Sequence, residues 1–392
     1  MQNYSDHIGI VGGGIAGLTL GCALLKEGIP AVIFEKSPEE TSHGAAISLS
    51  QNALRLLDRL DIFNDLRDQS YIHSTVSIQG LQKPICTFNP PVVLTTHRQV
   101  LMTLLLNKYL NLGGKIFYDH AIESFDQTKC ETRFKNNEKY FVSHLAACDG
   151  IRSSIRDTFF TSNQKPEYSG YSAWRGIGKS NLQNIHFALG SNSHIVSYPI
   201  NHDGDVSFVA VAREELQFKE SWKEEGSYKD LLEDFSIYDS SIFPKLEDSK
   251  LLYKWGIYIR SPIKSMVSEN ITLLGDAAHP MVPFLGQGAC MAIEDAYSFA
   301  MVCKKSIGNF ADAQITYDLV RTKRTKEIQR LSIKQGKIYH MKNPALVVAR
   351  NLVMRFTNFP GTNLKKIHEY DAHDAINMQL LAKEYPVDGG YN

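Results

Sequence analysis

The sequence predicts an α/β fold: a Rossmann-like domain with a mostly β segment inserted into it and a helical tail at the C-terminus. Three observations predict this fold. The chain opens with a strand–turn–helix–strand order, two later strands end in an acid, and strand-like runs cluster between residues 167 and 259. At 392 residues the chain is long enough for two or three domains.

The first element is a short apolar strand that ends in a glycine-rich turn. Residues 7–11 (HIGIV) are followed by GGGIAG, in which Gly12, Gly14 and Gly17 have the spacing G-x-G-x-x-G, and then by an apolar helix. In a dinucleotide site the first glycine permits the tight turn, the second admits the pyrophosphate, and the third lets the helix approach the strand. The start of the helix then offers free N–H groups to the phosphates.

The second strand, AVIF at residues 31–34, ends at Glu35, 18 residues after Gly17. A carboxylate at this position accepts hydrogen bonds from ribose hydroxyl groups and disfavours an additional 2′-phosphate. The motif therefore predicts that FAD or NAD is bound here rather than NADP. The choice between FAD and NAD stays open at this point.

Two later strands repeat this arrangement. Residues 143–156 contain a strand that runs into Asp149, and residues 269–300 contain a strand that runs into Asp276, a Pro-rich turn and a helix that starts at GQG. In each segment a strand delivers an acid, and unpaired helix N–H groups follow. No second G-x-G-x-x-G indicates a separate nicotinamide domain.

Composition and charge exclude other classes of protein. Lys+Arg and Asp+Glu are both 42, so the formal net charge is zero and we expect no nucleic-acid partner. The apolar runs are shorter than the roughly 18 residues of a membrane span, so we expect no integral membrane segment. We read no signal peptide at the N-terminus and expect a cytoplasmic enzyme.

The metal-ligating residue types show no convincing pattern. The six cysteines have irregular spacing and no C-x-x-C pair, which indicates free buried thiols in a reducing compartment. His368 and His373 lie five residues apart, a spacing that does not place two ligands on one helical face. We therefore predict no metal site.

These motifs resemble those of the group A FAD-dependent monooxygenases, which have the p-hydroxybenzoate hydroxylase fold. The resemblance rests on GGGIAG, on the pairs Asp149-Gly150 and Gly275-Asp276, and on YSAWRG at residues 171–176. It extends from about residue 7 to about residue 300, with a weaker helical tail beyond. Within the family, SHIVSYP and GQGACMAIEDA are most similar to the salicylate and 3-hydroxybenzoate hydroxylases.

The resemblance implies a GR2-type FAD-binding domain with an inserted, mostly β substrate domain. Beyond both, a long amphipathic helix is predicted over residues 309–341, and we interpret its basic run RTKRTK as a solvated face. The bounds that we predict are residues 1–75, 92–166 and 260–308 for the FAD-binding domain, 76–91 and 167–259 for the substrate domain, and 309–392 for the C-terminal helical region.

The resemblance also implies which residues contact the cofactor. We expect Glu35 at the adenosine ribose, Arg98 at the ribityl–pyrophosphate part and Asp276 at the ribityl chain. Asp149 belongs to a motif that is linked to both FAD and the nicotinamide. The full predicted cofactor-binding set is Gly12, Gly14, Ala16, Gly17, Glu35, Lys36, Ala46, Arg98, Asp149, Asp276, Gly286 and Gly288.

The implied activity is hydroxylation of a small aromatic, phenolic acid-like substrate by O2, with FAD as cofactor, NADH or NADPH as co-substrate, and a flavin C4a-hydroperoxide as the oxygenating species. His194 is our candidate for proton transfer, and Tyr198 shares its strand face by the period of two. We expect Gln287 to bridge to the substrate. Pro283 is expected beside the flavin ring.

Three other functions stay open. The first is hydroxylation of a bulkier ring, such as a quinone precursor, a polyketide or a tetracycline-like compound. The second is a flavin oxidoreductase that inserts no oxygen, and the third is a FAD-stabilised binding protein without activity. The sequence also leaves open the exact substrate, the nicotinamide and whether the chain forms a homodimer. One position departs from the family: Ile259 stands where many relatives have an acid before Arg-x-Pro.

Overall fold

A computed structural model describes most of the chain and contains three β-sheets with helices around them. The described residues are 2–39, 46–81, 83–160, 165–214, 226–246, 252–306 and 309–384. In chain order the strands are β1 (Gln2–Val11), β2 (Ala31–Phe34), β3 (Ala46–Ser50), β4 (Tyr71–His73), β5 (Val76–Gln79), β6 (Pro84–Phe88), β7 (Val93–His97), β8 (Lys115–Phe117), β9 (Ile122–Asp126), β10 (Glu131–Phe134), β11 (Lys139–Ala147), β12 (Glu167–Lys179), β13 (Ile185–Leu189), β14 (Ser193–Pro199), β15 (Asp205–Arg213), β16 (Tyr253–Ile259), β17 (Val267–Ser268) and β18 (Ile271–Leu273).

Helices pack on the first sheet, the short helix Tyr228–Asp234 packs on the second, and a series of helices continues to the C-terminus. In chain order they are α1 (Ile15–Lys26), α2 (Gln51–Arg59), α3 (Phe63–Asp68), α4 (Arg98–Asn111), α5 (Ser154–Phe159), α6 (Tyr228–Asp234), α7 (Gly288–Lys305), α8 (Phe310–Tyr339), α9 (Pro344–Phe356), α10 (Phe359–His368) and α11 (Ala372–Glu384).

The first sheet confirms the predicted Rossmann-like architecture. Its parallel core has the order β18-β11-β1-β2-β8, and β1 pairs with β11 on one side and β2 on the other. Every residue of β2 is buried, as expected for a central parallel strand covered on both faces. Helix α1 packs against α7, so the two glycine-rich helix starts belong to neighbouring helices.

The second sheet contains the strand-like runs that the sequence places in the middle of the chain. Its order is β16-β12-β15-β14-β13-β5-β6, antiparallel except where β13 pairs with β5. Strands β5 and β6 come from the short segment 76–91, and the rest come from residues 167–259. We propose that these two segments form the substrate domain, with the predicted bounds.

Two further expectations concern the helices and the thiols. The long C-terminal helix is confirmed, because α8 extends from Phe310 to Tyr339. All six cysteines are free, and Cys22, Cys148, Cys290 and Cys303 are buried. In the described ranges no helix is both long enough and apolar enough to cross a membrane.

Candidate active site

The glycines of the first turn divide into two that pack and one that faces open space. Gly12 has a φ of +108°, and a Cβ there would lie 2.3 Å from the carbonyl oxygen of Cys148. A Cβ on Gly17 would lie 1.9 Å from the carbonyl oxygen of Gly12. Around Gly14, at the start of α1, no atom lies within 4 Å of the Cβ position. Of these three glycines, Gly14 is therefore the one at which a ligand can approach the backbone.

Glu35 is fixed at the edge of this turn by two backbone donors. Its Oε2 accepts a hydrogen bond from the N–H of Gly13 at 2.6 Å, and its Oε1 accepts one from the N–H of Ser37 at 2.8 Å. The carboxylate thus lies at the end of β2, where the ribose of a dinucleotide is expected. Of its neighbours in the predicted set, Ala16 is buried and Lys36 is exposed.

Arg98 connects the first acid to the second. It is the first residue of α4; burial and the neighbouring cation Arg175 lower its pKa, whereas Asp276 and Glu35 act in the opposite direction. All three charged partners therefore lie within electrostatic reach of one guanidinium. Glu35 and Asp276 thus both act on Arg98, as expected if they hold one extended cofactor, and we call the region around these three side chains the cofactor cleft.

Asp276 lies on the wall of this cleft. It belongs to a 3₁₀ turn, Gly275–Ala277, that follows β18, and its side chain is accessible to solvent. Protein atoms nevertheless surround it, so loss of hydration raises its pKa, while His279 and Arg98 act in the opposite direction. A carboxylate with these two properties is suited to bind hydroxyl groups of a ligand that enters the cleft.

Asp149 follows β11 and binds the first N–H of α5, whose N-cap residue is Ser153. Its Oδ2 accepts a hydrogen bond from the N–H of Ser154 at 3.1 Å, and its Oδ1 is buried without a hydrogen-bond partner among the described residues. Burial raises the pKa of Asp149. Buried polar atoms are almost always paired, so this orphaned oxygen indicates a missing ligand atom or water.

Three observations show that these residues fit FAD. Gly14 leaves space for the pyrophosphate, Asp276 is accessible inside the cleft, and Asp149 carries an unpaired oxygen. A second open glycine, Gly288, begins α7 and has no atom within 4 Å of its Cβ position. Two helix starts are thus available to the negatively charged parts of the cofactor.

The loop before α7 lies between the two sheets. Pro283 is exposed, whereas Val282 and Phe284 on either side of it are buried against the second sheet. The 3₁₀ turn Pro283–Leu285 ends at Gly286, whose φ is +64° and whose Cβ would lie 2.7 Å from Oγ of Ser48. Pro283 is therefore held at the boundary where we expect the flavin ring.

Gln287 has different partners from those that the sequence suggests. Its Nε2 donates to Oγ of Ser50 at 2.8 Å, and its Oε1 accepts from Nδ2 of Asn52 at 3.1 Å. Both ends of the amide are thus bound to the start of α2. These contacts give Gln287 a role in fixing the loop, and its bridge to the substrate stays a prediction.

A buried ionic network joins the Gly275–Ala277 turn and helix α7 to helix α8. Nη1 of Arg321 lies 2.6 Å from Oε2 of Glu294, and its Nε lies 2.8 Å from Oδ1 of Asp295. Asp295 also accepts a hydrogen bond from the N–H of Gly275 at 2.9 Å, and His279 lies 2.5 Å from it. The network joins the turn that carries Asp276 to α7 and α8.

This network corrects the interpretation of RTKRTK as a solvated face. Arg321 is 0% exposed, and Arg324 is also buried, 3.4 Å from Oε1 of Glu294 and over the ring of Tyr370. Lys323 follows the expectation, being exposed, and Lys326 is half-buried. The acids Glu294 and Asp295 on α7 are the reason, because they neutralise the buried cations.

On the second sheet, His194 forms a pair with a residue that the sequence did not single out. Its Nδ1 lies 2.6 Å from Nε2 of His340, which follows α8. His194 is 3% exposed, and burial, with a smaller effect of His340, lowers its pKa well below the ordinary value. Burial also lowers the pKa of His340 to about 4, so both rings are neutral near neutral pH.

Aromatic rings enclose this pair. The ring of Phe284 lies 5.5 Å from His194 and 5.5 Å from His340, and Tyr339 lies 5.4 Å from His194. Tyr171 packs on both Phe284 and His340 at 5.2 Å. The pair therefore lies directly beside the residue that follows Pro283.

Tyr198 lies further along β14, in an apolar cluster that includes Tyr339. Ala46, Met354 and Tyr339 share this cluster, whereas Ile195 belongs to a cluster on the opposite face of the sheet. The alternation predicted for this strand is thus present. Tyr198 packs at a distance from the histidine pair, and its part in proton transfer stays a prediction.

Arg175 is a second residue that sequence reasoning passed over. It lies on β12 within YSAWRG, and its Nη2 donates to the carbonyl oxygen of Ala46. Its Nε is buried without a hydrogen-bond partner in the described part of the chain. Arg175 also lowers the pKa of Arg98. It therefore places a cation from the second sheet beside the cofactor cleft.

The departure at Ile259 is compensated from elsewhere. Arg260, which follows it, is buried and lies 2.8 Å from Oδ1 of Asp157 on α5. The carboxylate partner of this arginine thus comes from another element. Among the described residues, no group of three or more His, Cys, Asp or Glu side chains could hold a metal ion.

Comparison with known proteins gives consistent matches over nearly the whole chain. Residues 6–330 match the family model described as "FAD binding domain". The 3-amino-4-hydroxybenzoate 2-monooxygenase PtnB3 of Streptomyces platensis is 27% identical over 365 residues, which cover 87% of this chain and 91% of that protein. The salicylate hydroxylase of Pseudomonas putida is 26% identical over 89% of this chain and 91% of that protein.

Solved structures agree on the fold. A substrate complex of salicylate hydroxylase superposes with a TM-score of 0.81 at 20% identity, over 96% of this chain and 98% of that one. HpxO of Klebsiella pneumoniae, solved with FAD and uric acid, has a TM-score of 0.78 at 19% identity, over 95% of both chains.

Proposed function

Because the chain belongs to the FAD binding domain family, we propose that it is an FAD-dependent monooxygenase that hydroxylates a small phenolic compound with O2 and NAD(P)H. The observation that carries the proposal is the neutral His194–His340 pair, which lies beside the Pro283 turn. A proton acceptor is needed at this place, because a phenol becomes a good nucleophile for oxygen transfer only when it is deprotonated.

Cofactor binding is assigned to the acidic and basic side chains of the cofactor cleft. Glu35 is positioned for the ribose, and Asp276 and Arg98 for the chain that leads to the flavin. Bound FAD would supply electron transfer from NAD(P)H and the activation of O2. We propose that the free N–H groups at the start of α7, beside the open Gly288, stabilise negative charge on the bound flavin.

Proton transfer is assigned to His194 with His340 behind it. Burial makes a lasting imidazolium unfavourable for both rings. The pair avoids that state if His194 accepts a proton from the phenol while its Nδ1 passes the other proton to Nε2 of His340. Nδ1 of His340 is buried without a partner among the described residues, so the relay requires one bound water there as its next acceptor. The pair then passes the proton on and does not remain protonated.

Water exclusion is assigned to the rings around the pair. Phe284, Tyr171 and Tyr339 cover the histidines, and Phe284 adjoins Pro283. A dry site is needed because water would divert activated oxygen to hydrogen peroxide. The same aromatic wall provides stacking surfaces for a planar substrate ring.

The test is a panel of phenolic acids, including salicylate and aminohydroxybenzoates, given to FAD-loaded protein with NADH or NADPH. We expect at least one small phenol to accelerate nicotinamide oxidation and to yield a product heavier by one oxygen atom. The same panel should contain larger lipophilic rings. If only these stimulate turnover, the bulkier-ring alternative replaces the small phenol. If nicotinamide is oxidised without any oxygenated product, the protein is an oxidoreductase of another kind.

A further inference from the structure

Helix α9 (Pro344–Phe356) presents an apolar face to solvent. Its inner side is anchored: Met354 is 3% exposed, and Nη1 of Arg350 donates to the carbonyl oxygens of Ile338 and Tyr339. Its outer side is not covered by any described residue, and Phe356 is 76% exposed. The exposed apolar side chains of the helix are Leu346, Val348, Leu352, Val353 and Phe356.

These side chains form one continuous surface. At about 100° per residue, the exposed apolar residues span an arc of about 160°. Val348, Leu352 and Phe356 lie opposite Arg350 and Met354, whereas Leu346 and Val353 lie at one edge of the arc. Phe359, at the start of α10, is exposed directly after them. Contiguous apolar surface of this kind on a soluble domain marks a place where another surface binds.

The chain segment that carries this face contains cations but no acid. Residues 341–368 contain five Lys and Arg residues and no Asp or Glu, although the whole chain has a net charge of zero. Lys342 precedes the helix and Arg355 lies in its last turn, and both side chains are exposed. A cation therefore lies at each end of the apolar face.

We infer that the outer face of α9 binds the surface of a membrane that contains anionic lipids. An apolar face flanked by exposed cations is the property that lets a helix lie in the headgroup region while its cations contact phosphates. At 13 residues α9 is about 20 Å long, so it would lie flat on the bilayer. A second copy of the chain is a poorer occupant, because two-fold contact would bring the cations against each other.

The inner side of the same helix belongs to the wall of the candidate site. Met354 packs in the cluster that contains Tyr198 and Tyr339, and α9 contacts β6 at the edge of the second sheet. Membrane contact would therefore place the substrate domain, rather than the cofactor cleft, next to the lipid. This inference does not depend on the reaction proposed above, and binding can be measured without turnover.

The test is co-sedimentation of the purified, FAD-loaded protein with vesicles. One set contains phosphatidylcholine with about 30% phosphatidylglycerol, and the other contains phosphatidylcholine alone. We expect the wild-type protein to bind the anionic vesicles at least about tenfold more strongly than the neutral ones, and to lose this preference at high salt. No preference for the anionic vesicles would overturn the inference.

One double variant and one control variant locate the surface. Leu352→Glu with Phe356→Glu should weaken binding more than about tenfold, since burial of two large apolar side chains is lost. Leu319→Glu, at a 59% exposed apolar position on α8, should bind as the wild type does. An equal loss in both, or a dimer in sedimentation velocity that the α9 variant abolishes, would contradict membrane docking. Unchanged melting temperatures show that the variants are folded.

Discussion

Gly14 and Gly17 lie three residues apart in the first turn but differ in the space around their Cβ positions. The Cβ position of Gly14 faces open space, whereas that of Gly17 would collide with the backbone of Gly12. We therefore expect Gly14→Val to keep the melting temperature of the apoprotein and to weaken FAD binding at least about tenfold. Gly17→Val should instead lower the melting temperature. Flavin fluorescence titration and thermal unfolding of both variants check the pair, and equal thermal loss would contradict the assignment.

The histidine pair makes a second prediction at this scale. His194→Asn should reduce the yield of hydroxylated product by about 10²-fold or more and release hydrogen peroxide instead, because the phenol is no longer deprotonated. His340→Asn should have a smaller effect of the same sign, and it should be relieved at higher pH, where the phenol ionises without help. FAD affinity is the control and should not change in either variant. Unchanged coupling between NAD(P)H consumption and product would remove the pair from the mechanism.

Single residues were predictable where a motif specifies them and hidden where only folding brings them together. Glu35 and Asp276 follow from strand ends, because the carboxyl ends of parallel strands meet at one edge of the sheet. His340 lies 146 positions after His194, and no local pattern connects them. Arg175 lay inside a motif of the family, but its direction towards Ala46 depends on strand register.

At the scale of elements, α7 and α8 are joined by buried charges as well as by apolar packing. We expect Arg321→Met to lower the free energy of unfolding by about 3–5 kcal/mol, because it removes the buried cation that Glu294 and Asp295 share. Lys323→Met, on the exposed side of the same helix, should change it by less than about 0.5 kcal/mol. Chemical denaturation of the two variants gives the comparison, and similar values for both would mean that the ion pairs contribute little.

Helices α7 and α8 also show what cannot be predicted when each helix is considered separately from the others. The extent of α8 follows from its amphipathic period, and the structure confirms it. The environment of Arg321 and Arg324 does not follow, since a basic run looks solvated until an acidic helix packs on it. The strands of the second sheet were easier to predict, because β-branched and aromatic runs bounded by turn residues define them locally.

At the scale of the whole molecule, buried neutral histidines make stability depend on pH. Burial lowers the pKa of His73, His340 and His368 to about 4 each, against about 6.5 in an unfolded chain. Between these values the unfolded state binds more protons, so the contribution is complete above about pH 6.5 and is lost as the pH falls towards 4. Each such histidine adds a slope approaching about 1.4 kcal/mol per pH unit.

Denaturant titrations between about pH 5 and pH 8 check this dependence, and the free energy of unfolding should rise with pH over the lower half of that range. His73→Asn should reduce the slope by one histidine's share, since Asn remains neutral. The raised pKa values of Asp149 and Asp276 act in the opposite direction. A flat profile would mean that the histidines are hydrated in the folded protein.

Helix α8 reaches from one half of the molecule to the other. Arg321 binds the acids behind the cofactor loop, Gln329 and Ser332 bind the carbonyl oxygens of Pro280 and Val282, and Gly336 lies against the ring of Phe284. The helix ends beside His340, about 28 Å from Arg321. Helix α8 thus contacts both the residues around the cofactor cleft and those around the histidine pair. A substitution that reshapes the substrate site for a different aromatic ring will therefore also shift the residues that we expect to hold the flavin.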